Sequence, residues 1–175
     1  MKEALAALAP VQARHPLPPR GADRPKGLNV LGTLARHPEL ARAWNTFNGH
    51  ILFGSSLTPR QRELLVLRVA HLRDSRYEWA QHAVMAAESG LTDDEVTRIA
   101  TGADAGGWTP LETAMLRAAD ELVRDARIGD ATWTTLASAL DDQQLMDLVF
   151  TVGAYELLAM AFNSFAIEID DDLRK

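Results

Sequence analysis

The sequence predicts an all-α fold, a single-domain helical bundle of about seven helices, and three observations predict it. Apolar residues follow helical spacing from Val30 onward. Helix start signals recur along the same span, and no segment of useful length shows the period-two alternation of a half-buried strand. At 175 residues the chain is also long enough to enclose one substantial core.

Residues 1–28 hold five of the eight prolines, which favour extended or irregular backbone. This stretch therefore reads as an extended Pro-rich arm, either a plain tail or an arm that wraps a neighbouring subunit. Residues 29–175 form the helical domain. A first helix is expected from about Pro38 to Phe53, where Leu40, Ala43, Trp44, Phe47, Ile51 and Leu52 share helical spacing. Thr58 as N-cap with Pro59 at the first helical position opens the next, which should run to about Leu72. Its continuous LLVLRVA run predicts burial on most sides.

Asp74 or Ser75 can cap a following helix, Arg76 to Ser89, that stops at Gly90. Thr92 begins a short helix with acidic residues in its first turn and Gly102 at its end. Thr109-Pro110 repeats the Thr-Pro signal, with Glu112 in the capping-box position, for a helix to about Asp125. Asp130 is expected to cap a helix through Ala139, and Asp141 opens a long apolar one through about Phe165. The segments LTPRQRELLVLRVA and WTPLETAMLRAADEL resemble each other; recurrence of good cap signals explains this as well as duplication does.

A net charge of −6 argues against nucleic acid as the main partner. The absence of cysteine excludes disulfides, thiolate catalysis and zinc–thiolate sites. The N-terminal apolar run is short and interrupted by Glu3, unlike a secretory signal, and no later segment offers an uncharged span of about 20 residues for a membrane helix. A cytoplasmic protein without membrane association is the simplest expectation.

Glu63, Ser75, Glu78 and His82 are the candidates for chemistry. Glu78 and His82 are four apart on one expected helix, so they lie on one side of it about a turn apart. The preceding helix must turn back near residues 73–75, which brings Glu63 toward the same patch. A carboxylate beside an imidazole fixes the ring's tautomer, and a desolvated carboxyl stays protonated and acts as an acid. The same spacing also suits a surface ion pair, and Tyr77 and Trp79 suit packing as well as a substrate cage. A metal site is a further reading, although Glu-x-x-x-His is not the Glu-x-x-His of di-iron bundles and no second copy occurs.

The stretch LTPRQRELLVLRVA…YEWAQHAVMAAESGLTDDEVTRIATG resembles the carboxymuconolactone decarboxylase family, which has the alkylhydroperoxidase-D-like fold; WTPLETAMLRAADELVRDARIGDATW and DLVFTVGAYELLAMAFNSF resemble its second half. The peroxidase branch carries Glu, eleven residues, Cys, two residues, Cys, three residues, His. On this chain Glu63 and His82 occupy the outer positions, while Ser75 and Glu78 stand where the thiols would be. A hydroxyl and a carboxylate cannot run a thiolate–disulfide cycle, so thiol peroxidase activity is not expected.

The resemblance then implies a cofactor-independent decarboxylase-like lyase or isomerase. It would act by acid–base proton transfer on a small conjugated lactone or enolisable acid, whose carbonyl is itself the electron sink. His82 would be the main proton donor or shuttle, Glu78 would orient it or act beside it, and Glu63 would be a supporting carboxylate. Ser75, Trp79, His50 and Arg68 are the substrate-binding candidates, Arg68 as the cationic anchor; Arg73 and Arg76 read as solvated turn residues. No cofactor or metal is implied. The resemblance also implies a homo-oligomer, a trimer or hexamer. A non-catalytic oligomeric helical binding protein and a metal-dependent oxidoreductase are the other function classes.

Overall fold

The computed structural model describes residues 6–7, 13–16 and 26–174, so most of the expected arm lies outside the described residues. From residue 28 onward the chain forms α1 (Leu28–Leu34), α2 (Pro38–Gly49), α3 (Pro59–Leu72), α4 (Arg76–Glu88), α5 (Asp93–Thr101), α6 (Pro110–Asp125), α7 (Asp130–Ala137) and α8 (Asp142–Ser164). A π-helical turn, His50–Gly54, and two short 3-10 turns complete the elements, with no strand among the described residues.

The centre of the fold is α3, in which every residue from Arg62 to Ala70 is buried. It packs against α4, α6 and α8. One side of it, Leu65, Val66 and Val69, meets Met115 and Ala118 of α6 and Leu148, Val152 and Tyr155 of α8. The other side, Leu64 and Leu67, joins Ala86, Leu91, Ile99 and Leu116 in a second cluster. Each fully buried leucine removes enough apolar surface from water to contribute about 1.5–3 kcal/mol. Apart from Arg68, the LLVLRVA run is apolar on all sides because it has neighbours on all sides.

The caps are local and form as the sequence dictates. The side chains of Thr58, Thr92, Thr109 and Asp141 each accept a hydrogen bond from the N3 backbone N–H, and those of Gln61, Glu95, Glu112 and Gln144 accept one from the cap residue's backbone N–H, closing four capping boxes. Each cap is worth about 1 kcal/mol. Asp130 is the first residue of α7 rather than its cap, which is Gly129.

Two segments depart from the sequence expectation. The helix expected over 38–53 is α-helical only to Gly49 and continues as the π-helical turn His50–Gly54, whose last carbonyls accept from outside donors. Arg14 N and His15 N donate to the Phe53 carbonyl at 2.7 and 3.0 Å, and Arg62 Nη1 to that of Leu52 at 2.7 Å. The additional helix, α1, follows Gly27 in the left-handed region (φ 62°). Its cap comes from across the chain: Asn29 N donates to Asp170 Oδ1 at 2.8 Å.

The long helix α8 has the length and mean hydropathy (1.6) to span a membrane, yet half of that window is buried within the fold. Asp147 and Glu156 interrupt it, both engaged in side-chain bonds.

Candidate active site

The turn between α3 and α4 returns the chain on itself in three residues. Asp74 takes a left-handed conformation (φ 47°), Ser75 N donates to the Ala70 carbonyl at 2.8 Å, and α4 starts at Arg76. The resulting hairpin puts α4 alongside α3. Glu63, Glu78 and His82 are thereby buried at 0, 1 and 8 % exposure.

The pairing within this group differs from the expectation that Glu78 orients the ring. His82 Nδ1 lies 2.7 Å from Glu63 Oε2, and Glu63 Oε1 accepts from Arg62 Nε and Nη2 at 3.1 and 3.0 Å. Burial alone would raise the Glu63 carboxyl, but His82 and Arg62 outweigh it and hold it below the usual carboxylate range. An ionised Glu63 only accepts, so Nδ1 of His82 carries the hydrogen and Nε2 is the nitrogen left for a ligand. Tyr155 packs edge-on against the ring at 5.0 Å between centroids.

Glu78 takes the opposite condition. Neither of its carboxyl oxygens has a hydrogen-bond partner, nor has the Ser75 hydroxyl. Burial pushes Glu78 up to about 8; Ser75, near but outside hydrogen-bonding geometry, pulls against this, and the charge of Glu156 adds to it. At neutral pH Glu78 is thus a protonated acid.

Glu78 and His82 line the same cavity, of about 200 Å³. Its walls come from α1, α2, α4 and α8. Leu31, Leu34, Trp44, Met85, Leu158 and Phe162 supply an apolar lining; Asn45, Asn48, Tyr77, Gln81 and Tyr155 supply polar groups. Burial, together with the charge of Glu63, holds the Tyr155 hydroxyl above its ordinary range, so it remains a neutral group. The cavity can therefore hold a small, mostly apolar molecule against one acid and one imidazole nitrogen.

The other sequence candidates lie elsewhere. Ser75 and Trp79 border a separate groove with His71, and Trp79 also packs into the second core cluster. His50 is bonded to Asp147 at 2.8 Å, with its side chain half exposed. Arg68 is committed to Asp120 (2.5 Å) and to the Ile99 and Ala100 carbonyls (2.9 and 2.7 Å). Arg73 is more than a solvated turn residue, since it pairs with Glu156 and donates to the Val123 carbonyl at 3.0 Å. Arg76 faces solvent.

Sequence reasoning passed over Arg62, Tyr155 and the polar groups of α2. Arg62 had a signal in its position beside Glu63. Tyr155 lies 73 residues beyond His82, and only the packing of α8 on α4 places it there. Among the described residues, no group of three or more His, Asp or Glu is arranged to hold a metal ion.

Comparison with solved structures gives the same fold. A protein of unknown function from Agrobacterium tumefaciens superimposes with a TM-score of 0.74 at 18% identity, over 79% of this chain and 95% of that one. An uncharacterised peroxidase-related protein with an alkylhydroperoxidase AhpD core, from Ralstonia eutropha, gives 0.74 at 19% identity over 92% and 94%. The debrominase Bmp8 gives 0.69 at 15% identity over 83% and 78%. No curated protein matches the sequence. Residues 38–121, which contain Glu63, Glu78 and His82, match the carboxymuconolactone decarboxylase family. This chain, which has no cysteine, is therefore similar to the carboxymuconolactone decarboxylase family over a little under half of its length and shares the alkylhydroperoxidase-D-like fold of these structures.

Proposed function

We propose that this protein is a cofactor-independent enzyme of the lyase or isomerase type that transfers protons on a small conjugated lactone or enolisable acid. One observation carries the reading: a protonated carboxylic acid, Glu78, and an imidazole fixed by a buried carboxylate, His82, face one mostly apolar cavity. Pairs of groups whose surroundings drive their protonation apart are how one site runs acid and base steps together.

In this reading His82 Nε2 removes or returns a proton next to a substrate carbonyl, with Glu63 stabilising the imidazolium that forms. Glu78 in turn donates a hydrogen bond, and then a proton, to the enolate. A neutral acid in an apolar site is a strong donor to a developing oxyanion. Glu63 supports the ring through its tautomer and charge, without reaching the cavity. Loss of carbon dioxide would need only that the enolate left behind be protonated. Burial of both groups beside a cavity favours this reading over a non-catalytic binding protein, which has no need of an acid opposite a base.

The same proposal includes self-association as a trimer or hexamer and a cytoplasmic location. Met146, Phe150, Leu157 and Met160 stand 52–60% exposed along α8, a large apolar face of the kind that subunit contacts cover. The half-buried α8 supports a helix that packs within the fold rather than one that spans a membrane.

The test is solvent-deuterium incorporation, followed by NMR, across a panel of unsaturated lactones and enolisable acids. The wild type should accelerate exchange on some of them. Glu78→Gln and His82→Gln should each lower the rate by roughly 10²–10⁴ while keeping the helical circular dichroism. Full activity in both variants would sink the assignment.

A further inference from the structure

Asp170 lies after α8, far from the catalytic candidates in sequence, yet it is 3% exposed and accepts hydrogen bonds from three places at once. Oδ2 receives the Tyr77 hydroxyl at 2.7 Å and Gln81 Nε2 at 2.8 Å; Oδ1 receives Asn29 N, in the first turn of α1, at 2.8 Å. Tyr77 and Gln81 are on α4 beside Glu78 and His82, and both line the cavity. A single buried carboxylate thus ties the wall holding the acid and base to the opposite wall.

That opposite wall is weakly held by its own packing. α1 has seven residues, none of them buried, although Leu31 and Leu34 line the cavity. A helix of two turns does not persist without tertiary contacts. Besides Asp170, the Glu168 carbonyl accepts from Asn29 Nδ2 at 2.9 Å, and Lys26 N reaches Asp172 at 3.3 Å, so α1 is tied at its first turn to the segment 168–172.

We propose that Asp170 is a positioning residue that controls access to the cavity: it holds α1 across the Glu78–His82 cavity as a cover and fixes Tyr77 and Gln81 at its edge. When the three bonds break together, α1 loses its cap and is left tied to the segment 168–172 only by the Asn29 Nδ2–Glu168 and Lys26 N–Asp172 contacts, too few to hold it closed, and the cavity opens on that side. The inference rests on the cavity being the ligand site. It does not depend on the reaction, and its test needs no turnover, so either reading can fail alone.

The absence of native cysteine makes the test direct. Met85→Cys places a single thiol on the cavity wall of the full chain, and its labelling by the neutral reagent N-ethylmaleimide is timed with Asp170 intact, with Asp170→Ala and with Asp170→Asn. Amide exchange over residues 29–34 is measured on the same proteins, with Ser138→Cys as an exposed labelling control. Loss of charge-assisted hydrogen bonds should speed both labelling and α1 exchange at least about tenfold in Asp170→Ala, and less in Asp170→Asn, which keeps one acceptor oxygen. The α3 amides and the Ser138→Cys control should be unmoved. Unchanged labelling and exchange in Asp170→Ala would overturn the proposal. So would loss of α3 protection in both variants, which would make Asp170 a residue of the general fold.

Discussion

Replacing Glu78 by Gln should reveal the cost of keeping a buried acid at the site. In the unfolded chain the carboxyl titrates near its ordinary value of 4.5, but in the folded protein only at about 8. As pH rises between these values the unfolded chain gives up the proton first, so the folded state binds more protons and stability falls. The loss is absent below 4.5, grows through neutrality and levels off above about 8. At about 1.4 kcal/mol per pH unit it reaches roughly 3 kcal/mol at pH 7 and roughly 5 kcal/mol at pH 9.

Gln cannot ionise, so the variant escapes this loss at every pH. It also buries an amide where neither carboxyl oxygen had a partner, which costs about 1–3 kcal/mol at all pH values alike. The diagnostic quantity is therefore the slope of the stability difference, because that offset and the titration of all other groups are common terms. Urea unfolding of both proteins from pH 5 to 9, followed by circular dichroism, measures it. Glu78→Gln should gain on the wild type by several kcal/mol across this range. A difference that stays flat with pH would show that Glu78 titrates like an ordinary surface carboxyl, and the acid role would fall with it.

The remaining predictions follow from other contacts. Glu63→Gln leaves Arg62 as a buried cation without its carboxylate and frees the His82 ring, so it should destabilise by about 3–5 kcal/mol in urea unfolding and also slow turnover. Because the folded value of Glu63 is depressed, its stabilising contribution is present at neutral pH and is lost as pH falls through that value; the wild type should lose its advantage over the variant in acid. Gly102→Ala adds a Cβ 2.7 Å from the Arg68 guanidinium at φ +90°, forcing Arg68 off the Ile99 and Ala100 carbonyls; a loss of about 2–4 kcal/mol in thermal or urea unfolding is expected. On the proposal that the exposed face of α8 joins subunits, the wild type should sediment as a trimer or hexamer and Leu157→Glu as a monomer of unchanged helicity. A monomeric wild type would refute the proposed self-association, and an oligomer that Leu157→Glu leaves intact would refute the use of this face.

Much of the fold was legible in order along the chain because its signals are local. A Thr-Pro pair followed by Gln61 or Glu112 contains all the atoms of a capping box within four residues, and those helices begin where the sequence says. The burial of α3 was legible from composition alone. α1 was not, since the carboxylate that caps it is Asp170, 141 residues from Asn29. The passage of α2 into a π-helical turn was equally hidden, and the last carbonyls of that turn bond to Arg14, His15 and Arg62, distant in the chain.

The site divides in the same way. Sequence alone determined which groups could act: the lack of cysteine removed thiol chemistry, and the spacing of Glu63, Ser75, Glu78 and His82 put a small set of acids and an imidazole on one hairpin. Spacing along one helix could not assign partners, because side-chain bonds depend on which neighbouring helix fills the space beside each group. Tertiary structure decided that Glu63, not Glu78, binds His82, that Glu78 is left buried and unpaired, and that Arg68, His50 and Trp79 turn away from the cavity. The acid and the base differ because packing gave one a counter-charge and denied it to the other.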